Sequence, residues 1–175
     1  RFERLMLSHL VKKPEDFVGA FNRLPIRLQE LFVQAYQSYL FNRFLSQRIR
    51  SGLALNKAEV GDYVVNVERS ALPMIKTGRI AGTDTIAETK ESIRTRRMRI
   101  AIPLVGIKQR LSQGTMGQIE KQVLEAEGIK TEDFRIDTIP KISRIGELRT
   151  VTAPIENFKL RSVSATTDNL KERQA

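Results

Sequence analysis

The 175-residue sequence contains no cysteine and a single histidine, His9. Without cysteine there can be no disulfide, thiolate zinc site or cysteine nucleophile, and the composition is compatible with a reducing compartment such as the cytoplasm. With one histidine, a transition-metal site would need mainly carboxylate ligands, so we predict no such metal site. A Ser-His-Asp hydrolase is also excluded, because His9 fits ordinary packing.

Long apolar runs are missing as well. The most apolar stretch, residues 100–107, is eight residues long and includes Pro103 and Gly106. A transmembrane helix needs about 20 apolar residues, so we predict no membrane association. Charged residues interrupt the first ten positions, which is unlike a signal peptide. The sequence begins at Arg1 without an initiator methionine, and we expect it to be a piece of a longer protein.

Catalytic and phosphate-binding motifs are absent from the sequence itself. The carboxylates of Asp133 and Asp137 fall on a predicted turn, and those of Glu15 and Asp16 fit a helix start, so neither pair suggests acid–base chemistry. The glycine-containing turns match neither the P-loop nor the dinucleotide-binding fingerprint, which favours helix capping.

Positive charge is abundant. Thirty Lys and Arg residues against twenty Asp and Glu residues give a net charge of +10 and an isoelectric point of about 10.2. Such an excess favours a polyanionic partner, nucleic acid above all, although a merely soluble basic domain has the same composition. The length suits one domain with a substantial core.

The stretch 25–50 predicts one long helix, which we call the spine helix. It has no internal glycine or proline after Pro25, which suits a first helical position. Ser51-Gly52 supplies the end of the helix, and Arg48 and Arg50 would face the negative end of its dipole. Apolar residues recur at helical spacing and are expected to face the core: Leu28, Leu31, Phe32, Ala35, Tyr39, Leu45 and Ile49.

Two further helices precede the spine helix. The first is predicted over 1–12, and the second begins with Pro14 at its first position and presents Phe17, Val18, Phe21 and Leu24 as an apolar face. Residues 1–52 are therefore predicted to form a helical subdomain.

Residues 53–164 predict an α+β lobe, and 165–175 a polar, frayed tail leading back to a missing domain. Residues 70–83 are interpreted as a loop or a weak hairpin. Helices are expected at 84–92, capped by Asp84, and from a capping box at 115–118 to Gly128, with Ile129 folding back and a single turn at 131–134.

Strands are expected at 63–67, 97–102, 148–151 and 157–163. In the second strand, Met98, Ile100 and Ile102 would face inward and Arg97, Arg99 and Ala101 outward. The last strand would point Phe158 and Leu160 inward. The predicted fold class is thus a helical subdomain packed with a small, mainly antiparallel mixed sheet.

Two groups of arginines are candidate RNA contacts. Four lie within six residues, at Arg94, Arg96, Arg97 and Arg99, where guanidinium groups could pair with phosphates or stack on bases. A solvated strand face that discourages edge pairing is the alternative. The second group lies along the end of the spine helix, at Arg43, Gln47, Arg48 and Arg50, with compensation of the helix dipole as the alternative.

The spine helix also carries a family signature. The sequence AYQSYLFN at 35–42, followed by LSQRI at 45–49, resembles the corresponding helix of the tRNA pseudouridine synthase D (TruD) family, archaeal type. Weaker matches follow in family order at Gly61-Asp62, at 102–106, at 113–120 and at 145–149, where Leu148 stands in place of a common arginine.

This resemblance implies conversion of uridine to pseudouridine at position thirteen of tRNA, without cofactor or metal. The family's nucleophilic aspartate motif is absent here, so the chain is expected to be most of the inserted domain and inactive alone. It would bind tRNA beside the catalytic domain of the same parent chain. The family-matching positions are Gln37, Ser38, Tyr39, Asn42 and Arg48. Of these, Gln37, Ser38 and Asn42 would face the cleft, or else serve in capping or bridge to the missing domain.

The sequence is also compatible with two other functions. One is a stand-alone RNA-binding module without catalysis. The other is a basic protein-interaction domain, which would bind tRNA no better than any polyanion.

Overall fold

The computed structural model describes residues 1–155 and 157–160. It is organised around one continuous helix, α3, which spans Ile26–Arg50 and confirms the predicted spine helix. The helix begins directly after Pro25 and ends at Ser51. None of the described helices combines the length and apolarity needed to cross a membrane.

Most of the predicted inward side of α3 is wrong, although Leu45 does pack against the main core. Leu31 and Phe32 are 56% and 50% exposed, and Tyr39 and Ile49 are exposed as well. The buried side consists of Gln29, Gln37, Leu40, Phe41, Phe44 and Arg48. Both sides of the helix carry large apolar residues, so periodicity does not separate them. The side that carries Gln29, Gln37 and Arg48 faces the core because these polar residues find hydrogen-bond partners there.

Helices α1 (Phe2–Leu10) and α2 (Phe17–Phe21) precede the spine. The side chain of Asp16 caps α2 by accepting a hydrogen bond from the Gly19 amide at 2.8 Å. Pro14 therefore lies before this helix, not at its first position as predicted. An aspartate at the N-cap satisfies an amide that has no partner within the helix, which is why α2 begins there.

Four strands form one antiparallel sheet in the order β2-β1-β3-β4, which confirms the α+β class. Their bounds are Tyr63–Val67, Pro73–Ile80, Met98–Leu104 and Glu147–Thr150 for β1 to β4. Strand β2 shows that the hairpin, not the loop, is correct for residues 70–83. The sheet curls, because Gly78 on one edge strand lies against Leu148 on the other.

The curl explains a second error, in the predicted basic face of β3. Ala101 is buried against Val65 and Leu148, with Ile75 of β2 packed on the same cluster. Arg99 is half-buried and donates a hydrogen bond to the Ala71 carbonyl at 2.9 Å. Both faces of β3 are thus covered.

Helices α4 (Ile86–Arg94) and α5 (Gly114–Glu127) were predicted with the wrong starts. Thr85, not Asp84, is the N-cap of α4, and Thr115 lies inside α5 instead of in a capping box. The end of α5 is as predicted. Gly128 adopts φ 64°, and the Ile129 amide donates to the Leu124 carbonyl at 3.1 Å, which folds the chain back onto the last turn.

The remaining segments contain 3-10 helices at Thr131–Phe134, as predicted, and at Pro140–Ile142. The predicted strand at 157–163 is wrong over 157–160, which join no strand of the described sheet and leave Phe158 and Leu160 exposed. Alternation predicts a strand only where a neighbouring edge pairs with it. Residues 161–163, and the tail at 165–175, lie outside the described residues.

The main core joins the spine to the sheet and α5. Leu40, Phe41 and Phe44 of α3 pack with residues from β3, α5 and the first 3-10 helix, namely Ile102, Leu104, Met116, Ile119, Val123, Leu124 and Phe134.

A close backbone crossing fixes the loop after β3 against the loop before β4. A Cβ at Gly106 would lie 2.5 Å from the Gly146 Cα, and one at Gly146 would lie 2.7 Å from the Leu104 carbonyl oxygen. The Lys108 amide donates to the Ile145 carbonyl at 3.0 Å, so the two segments run side by side. Glycine is required at both positions because only a backbone without Cβ permits this approach.

This crossing generates a stability prediction. Gly146 and Gly52 have similar positive φ angles, 78° and 73°, but a Cβ at Gly52 would meet nothing within 4 Å. We expect Gly52→Ala to cost about 1–2 kcal/mol for the left-handed backbone alone. Gly146→Ala should cost a further ~1–3 kcal/mol for the collision. Urea unfolding of both variants checks this, and equal costs would contradict it.

Candidate nucleic-acid interface

A groove runs between the exposed side of α3 and the Gly146 loop. Its volume is about 600 Å³. One wall is the helix surface that includes Leu31, Gln34, Ala35 and Ser38, and the other comprises Arg144, Ile145, Gly146, Glu147 and Arg149. We call this the spine groove. It exists because the glycine crossing brings the start of β4 alongside the helix.

Arg149 is held in a defined position at the spine groove. Its guanidinium carbon lies 5.2 Å from the centre of the Phe41 ring, and Nη1 donates to the Ser38 hydroxyl at 3.4 Å. Stacking on an aromatic ring fixes the plane of a guanidinium and leaves its edge able to donate hydrogen bonds. The site therefore presents an oriented cation beside a hydroxyl, a combination suited to phosphate.

A second arginine lines the same groove. Arg144 pairs with Glu30 of α3 at 3.6 Å, and its Nε atom is buried with no hydrogen-bond partner among the described residues. This contact ties the β4 side of the groove to the first turns of the spine.

The family-matching residues point in three directions. Ser38 and Gln37 both line the spine groove, but Gln37 is almost fully buried and its amide donates to the Val105 carbonyl at 2.6 Å. Tyr39 donates to Glu127 of α5 at 2.9 Å, and Asn42 is exposed. Gln37 thus holds the helix against the loop after β3. Neighbouring positions on one helix differ in role because each turns by about 100° from the last.

The arginines at the end of the spine helix also lie in different surroundings. Arg43 lies 3.2 Å from Glu127 and donates to the Tyr39 hydroxyl at 3.1 Å, which places it beside α5. Gln47 is beside the same helix, and Arg50 is exposed. Arg48 is completely buried, so it does not contribute to a charged surface.

Arg48 instead forms a buried ion pair. Its two terminal nitrogens donate to the two carboxylate oxygens of Asp62 at 2.6 and 2.8 Å, and Nε and Nη2 donate to the Ala54 carbonyl at 3.1 and 2.8 Å. Asp62 also accepts from the Glu59 amide at 2.9 Å. The pair joins the end of α3 to the residue before β1. Sequence reasoning treated Arg48 and Gly61-Asp62 as separate family matches and missed their contact.

Glu120 of α5 is a second buried carboxyl near this pair. It is fully buried, and its oxygens accept from the Ser112 amide and hydroxyl, both at 2.7 Å. Burial raises the pKa of Glu120 and the Asp62 carboxylate acts in the same direction, while the Ser112 hydrogen bonds and Arg48 oppose the shift, and together they move this pKa from 4.5 to about 7. The family match at 113–120 included Glu120, but nothing in the sequence indicated that its carboxyl is buried beside Ser112.

The arginines of the 94–99 cluster border a second groove, of about 560 Å³, which we call the strand-end groove. Arg94, Arg96 and Arg99 line it, whereas Arg97 is exposed outside it and donates to the Thr95 hydroxyl at 3.1 Å. The other lining residues are Leu55, Asn56, Ile93, Met98, Ile100 and Thr152 to Ile155. The two grooves are connected by the chain leaving β4. Thr152 follows Arg149 by three positions, a separation that an extended chain spans in about 11 Å at most.

Comparison with known proteins identifies the family. The family model of tRNA pseudouridine synthase D (TruD) matches residues 1–171. The chain belongs to the TruD family.

Individual TruD proteins give the same result. The chain is 36% identical over 151 residues to a tRNA pseudouridine synthase D of Methanococcoides burtonii, covering 86% of this chain and 34% of that protein. It is 38% identical over 146 residues to that of Methanopyrus kandleri, covering 83% and 29%. The crystal structure of the TruD protein from Methanosarcina mazei superposes with a TM-score of 0.79 at 35% identity, covering 86% of this chain and 34% of that one. The chain therefore spans about a third of the length of the TruD proteins it matches.

The buried pair generates a prediction for the stability of this TruD chain. Arg48→Met or Asp62→Leu alone should lower the free energy of unfolding by about 3–5 kcal/mol, because each leaves an uncompensated buried charge. The double variant removes both charges and should lose less than the sum of the two single variants. Urea unfolding of all four proteins measures the coupling. Additive losses would contradict a direct pair.

Glu120 generates a pH prediction. Because its pKa is about 7 in the folded chain and 4.5 when exposed, the folded state retains a proton that the unfolded state releases. The contribution of Glu120 to stability should be fully present below pH 4.5 and decline by about 3 kcal/mol as the pH rises through 7. Glu120→Gln keeps the hydrogen-bonding shape and should remove this decline. The measurement is unfolding free energy between pH 5 and 8 for both proteins, and identical pH profiles would contradict the assignment.

Proposed function

We propose that this chain supplies the RNA-binding portion of a tRNA pseudouridine synthase, which converts uridine to pseudouridine at position thirteen of tRNA. The observation that carries the proposal is the spine groove, where Ser38 of the family motif lies beside an arginine fixed on Phe41. Membership of the TruD family supports the same reaction class.

The charge of the chain fits this role. A net charge of +10 attracts a polynucleotide at long range. The spine groove then offers Arg149 and Arg144 for phosphates, and Ser38 as a neutral donor or acceptor. The strand-end groove adds Arg94, Arg96 and Arg99, so an RNA strand that follows the end of β4 meets guanidinium groups in both grooves.

This chain contributes to the reaction by positioning the RNA substrate. Isomerisation breaks the bond between the sugar and N1 of uracil and rejoins the sugar to C5, so the base must leave the stack and be held while it turns. In this proposal the two grooves bind the RNA backbone on either side of the target uridine. The nucleophile comes from the catalytic domain of the same parent chain, acting in the cytoplasm on tRNA.

Exposed apolar side chains on α1 and α2 support a neighbouring domain. Phe2, Leu5 and Leu7 of α1 are exposed, and so are Phe17 and Val18 of α2. Phe17 and Val18, together with Met6, Leu10 and Phe21, border an apolar depression of about 460 Å³. A contiguous apolar surface of this kind marks an interaction site. TruD relatives contain about twice as much additional chain as this one, which is enough to cover it.

The test is tRNA affinity. We expect Arg149→Ala to weaken tRNA binding about tenfold and to reduce the slope of affinity against salt by about one ion. Arg149→Lys should recover the salt slope but not the full affinity, because lysine neither stacks nor pairs bidentately. Fluorescence anisotropy with labelled tRNA, with heparin as competitor, measures both quantities.

Arg4→Ala is the matched control, since it removes one exposed positive charge from α1, away from both grooves. It should change affinity less than twofold or so. Equal losses for Arg4→Ala and Arg149→Ala would indicate binding to any polyanion and would refute the proposal. In a protein joining this chain to the additional segments of its relatives, Arg149→Ala should raise KM for tRNA more than it lowers kcat in pseudouridine formation. An unchanged KM would count against a role in substrate binding.

A further inference from the structure

The strand-end groove combines two kinds of surface. Four apolar side chains line it, Ile93 and Met98 near the end of α4 and the start of β3, and Pro154 and Ile155 on the facing segment, and we call this set its floor. Polar side chains line it as well, and we call Arg94, Arg96, Arg99, Asn56 and Thr152 its rim. A site that binds only the phosphate backbone needs no apolar surface. An unstacked nucleotide needs both kinds of surface, because the faces of its base are apolar and its base edges and phosphate are polar.

The three arginines of the rim are not equivalent. Arg94 donates to both carboxylate oxygens of Glu91, at 2.8 and 2.6 Å, and Arg99 donates to the Ala71 carbonyl. Arg96 is exposed at the turn between α4 and β3. It is therefore the arginine of this rim best placed to meet a ligand.

Arg96 also has an unusual backbone. Its φ angle is 60°, in the left-handed region where a side chain with Cβ is strained and glycine is not. A non-glycine residue held in such a backbone is a candidate for a functional role, and here the side chain is an exposed guanidinium at the groove.

We propose that the strand-end groove seats one unpaired nucleotide of the RNA substrate, with the base on the apolar floor and the adjacent phosphate on Arg96. This inference rests on the proposed tRNA-binding function and specifies a second contact, beyond the spine groove. A nucleotide in a paired stem keeps its base stacked and cannot reach the floor, so the site selects loops and bulges over duplex.

The position of the groove relative to the spine groove supports this assignment. Arg149 and Thr152 lie three residues apart on one segment of chain, so one RNA strand can touch both grooves. The unpaired nucleotide would then lie a short distance along the strand from the phosphate held by Arg149. It would also make binding depend on a base, which phosphate contacts alone do not do.

The experiment uses two hairpin RNAs that differ at one position, a bulged uridine in one and an abasic sugar in the other. We expect the chain to bind the bulged RNA more tightly, by about fivefold, because the base adds apolar contact. Ile155→Ser should abolish that preference while leaving affinity for the abasic RNA unchanged. Ile155 is 75% exposed, so this substitution does not disturb the core.

Arg96→Gly tests the phosphate contact. Glycine suits φ 60°, so thermal stability should be unchanged or higher, whereas affinity for both RNAs should fall about five- to tenfold and the salt slope by about one. Arg97→Ala is the matched control, because it removes the adjacent positive charge outside the groove and should change affinity less than about twofold.

The outcomes separate the two proposals. Equal binding of the bulged and abasic RNAs, or equal losses for Arg96→Gly and Arg97→Ala, would overturn the nucleotide site while leaving tRNA binding intact. Failure of the wild-type chain to bind either hairpin or tRNA would overturn both proposals. Loss of affinity only in Arg96→Gly, with the preference for the base lost in Ile155→Ser, would support the site.

Discussion

The buried ion pair between Arg48 and Asp62 joins the last turns of the spine helix to the entrance of the sheet. Both side chains are almost inaccessible to water, and the guanidinium satisfies its donors on a carboxylate and the Ala54 carbonyl. Removing two charges from water is costly, and the cost is offset only when every donor and acceptor finds a partner in one geometry. The pair therefore fixes where the chain turns after α3 and where β1 begins.

The position of β1 determines the positions of the other strands. Antiparallel pairing of β1 with both β2 and β3 sets the register of the sheet, and β3 then packs its Ile102 and Leu104 on the spine. Helix α5 closes the core from the other side, with Glu120 buried close enough to Asp62 for the two carboxyls to interact. The polar cluster and the apolar core are thus consecutive parts of one interface around α3.

Both candidate RNA grooves are consequences of this arrangement. The spine groove depends on the crossing of Gly106 and Gly146, which places Arg149 over Phe41. The strand-end groove depends on the chain that continues from β4 past the end of α4. A small sheet anchored to a long helix therefore creates two sites along one segment. Proximity of this kind lets weak phosphate contacts act together on a single strand.

Several features were determined by the sequence alone. The spine helix, the end of α5 at Gly128 and the α+β class follow from helical spacing, glycine and strand-type alternation, which are local properties. The family match was carried by contiguous residues of one helix. The inward side of α3 could not be predicted in this way, because apolar residues occupy both sides and the choice depended on partners for Gln37 and Arg48 that are distant in sequence. The covered second face of β3 and the grouping of Ser38 with Arg149 likewise required the curl of the sheet and the glycine crossing. Local patterns determine which elements form, whereas the pairing of buried polar groups across the fold decides which faces meet.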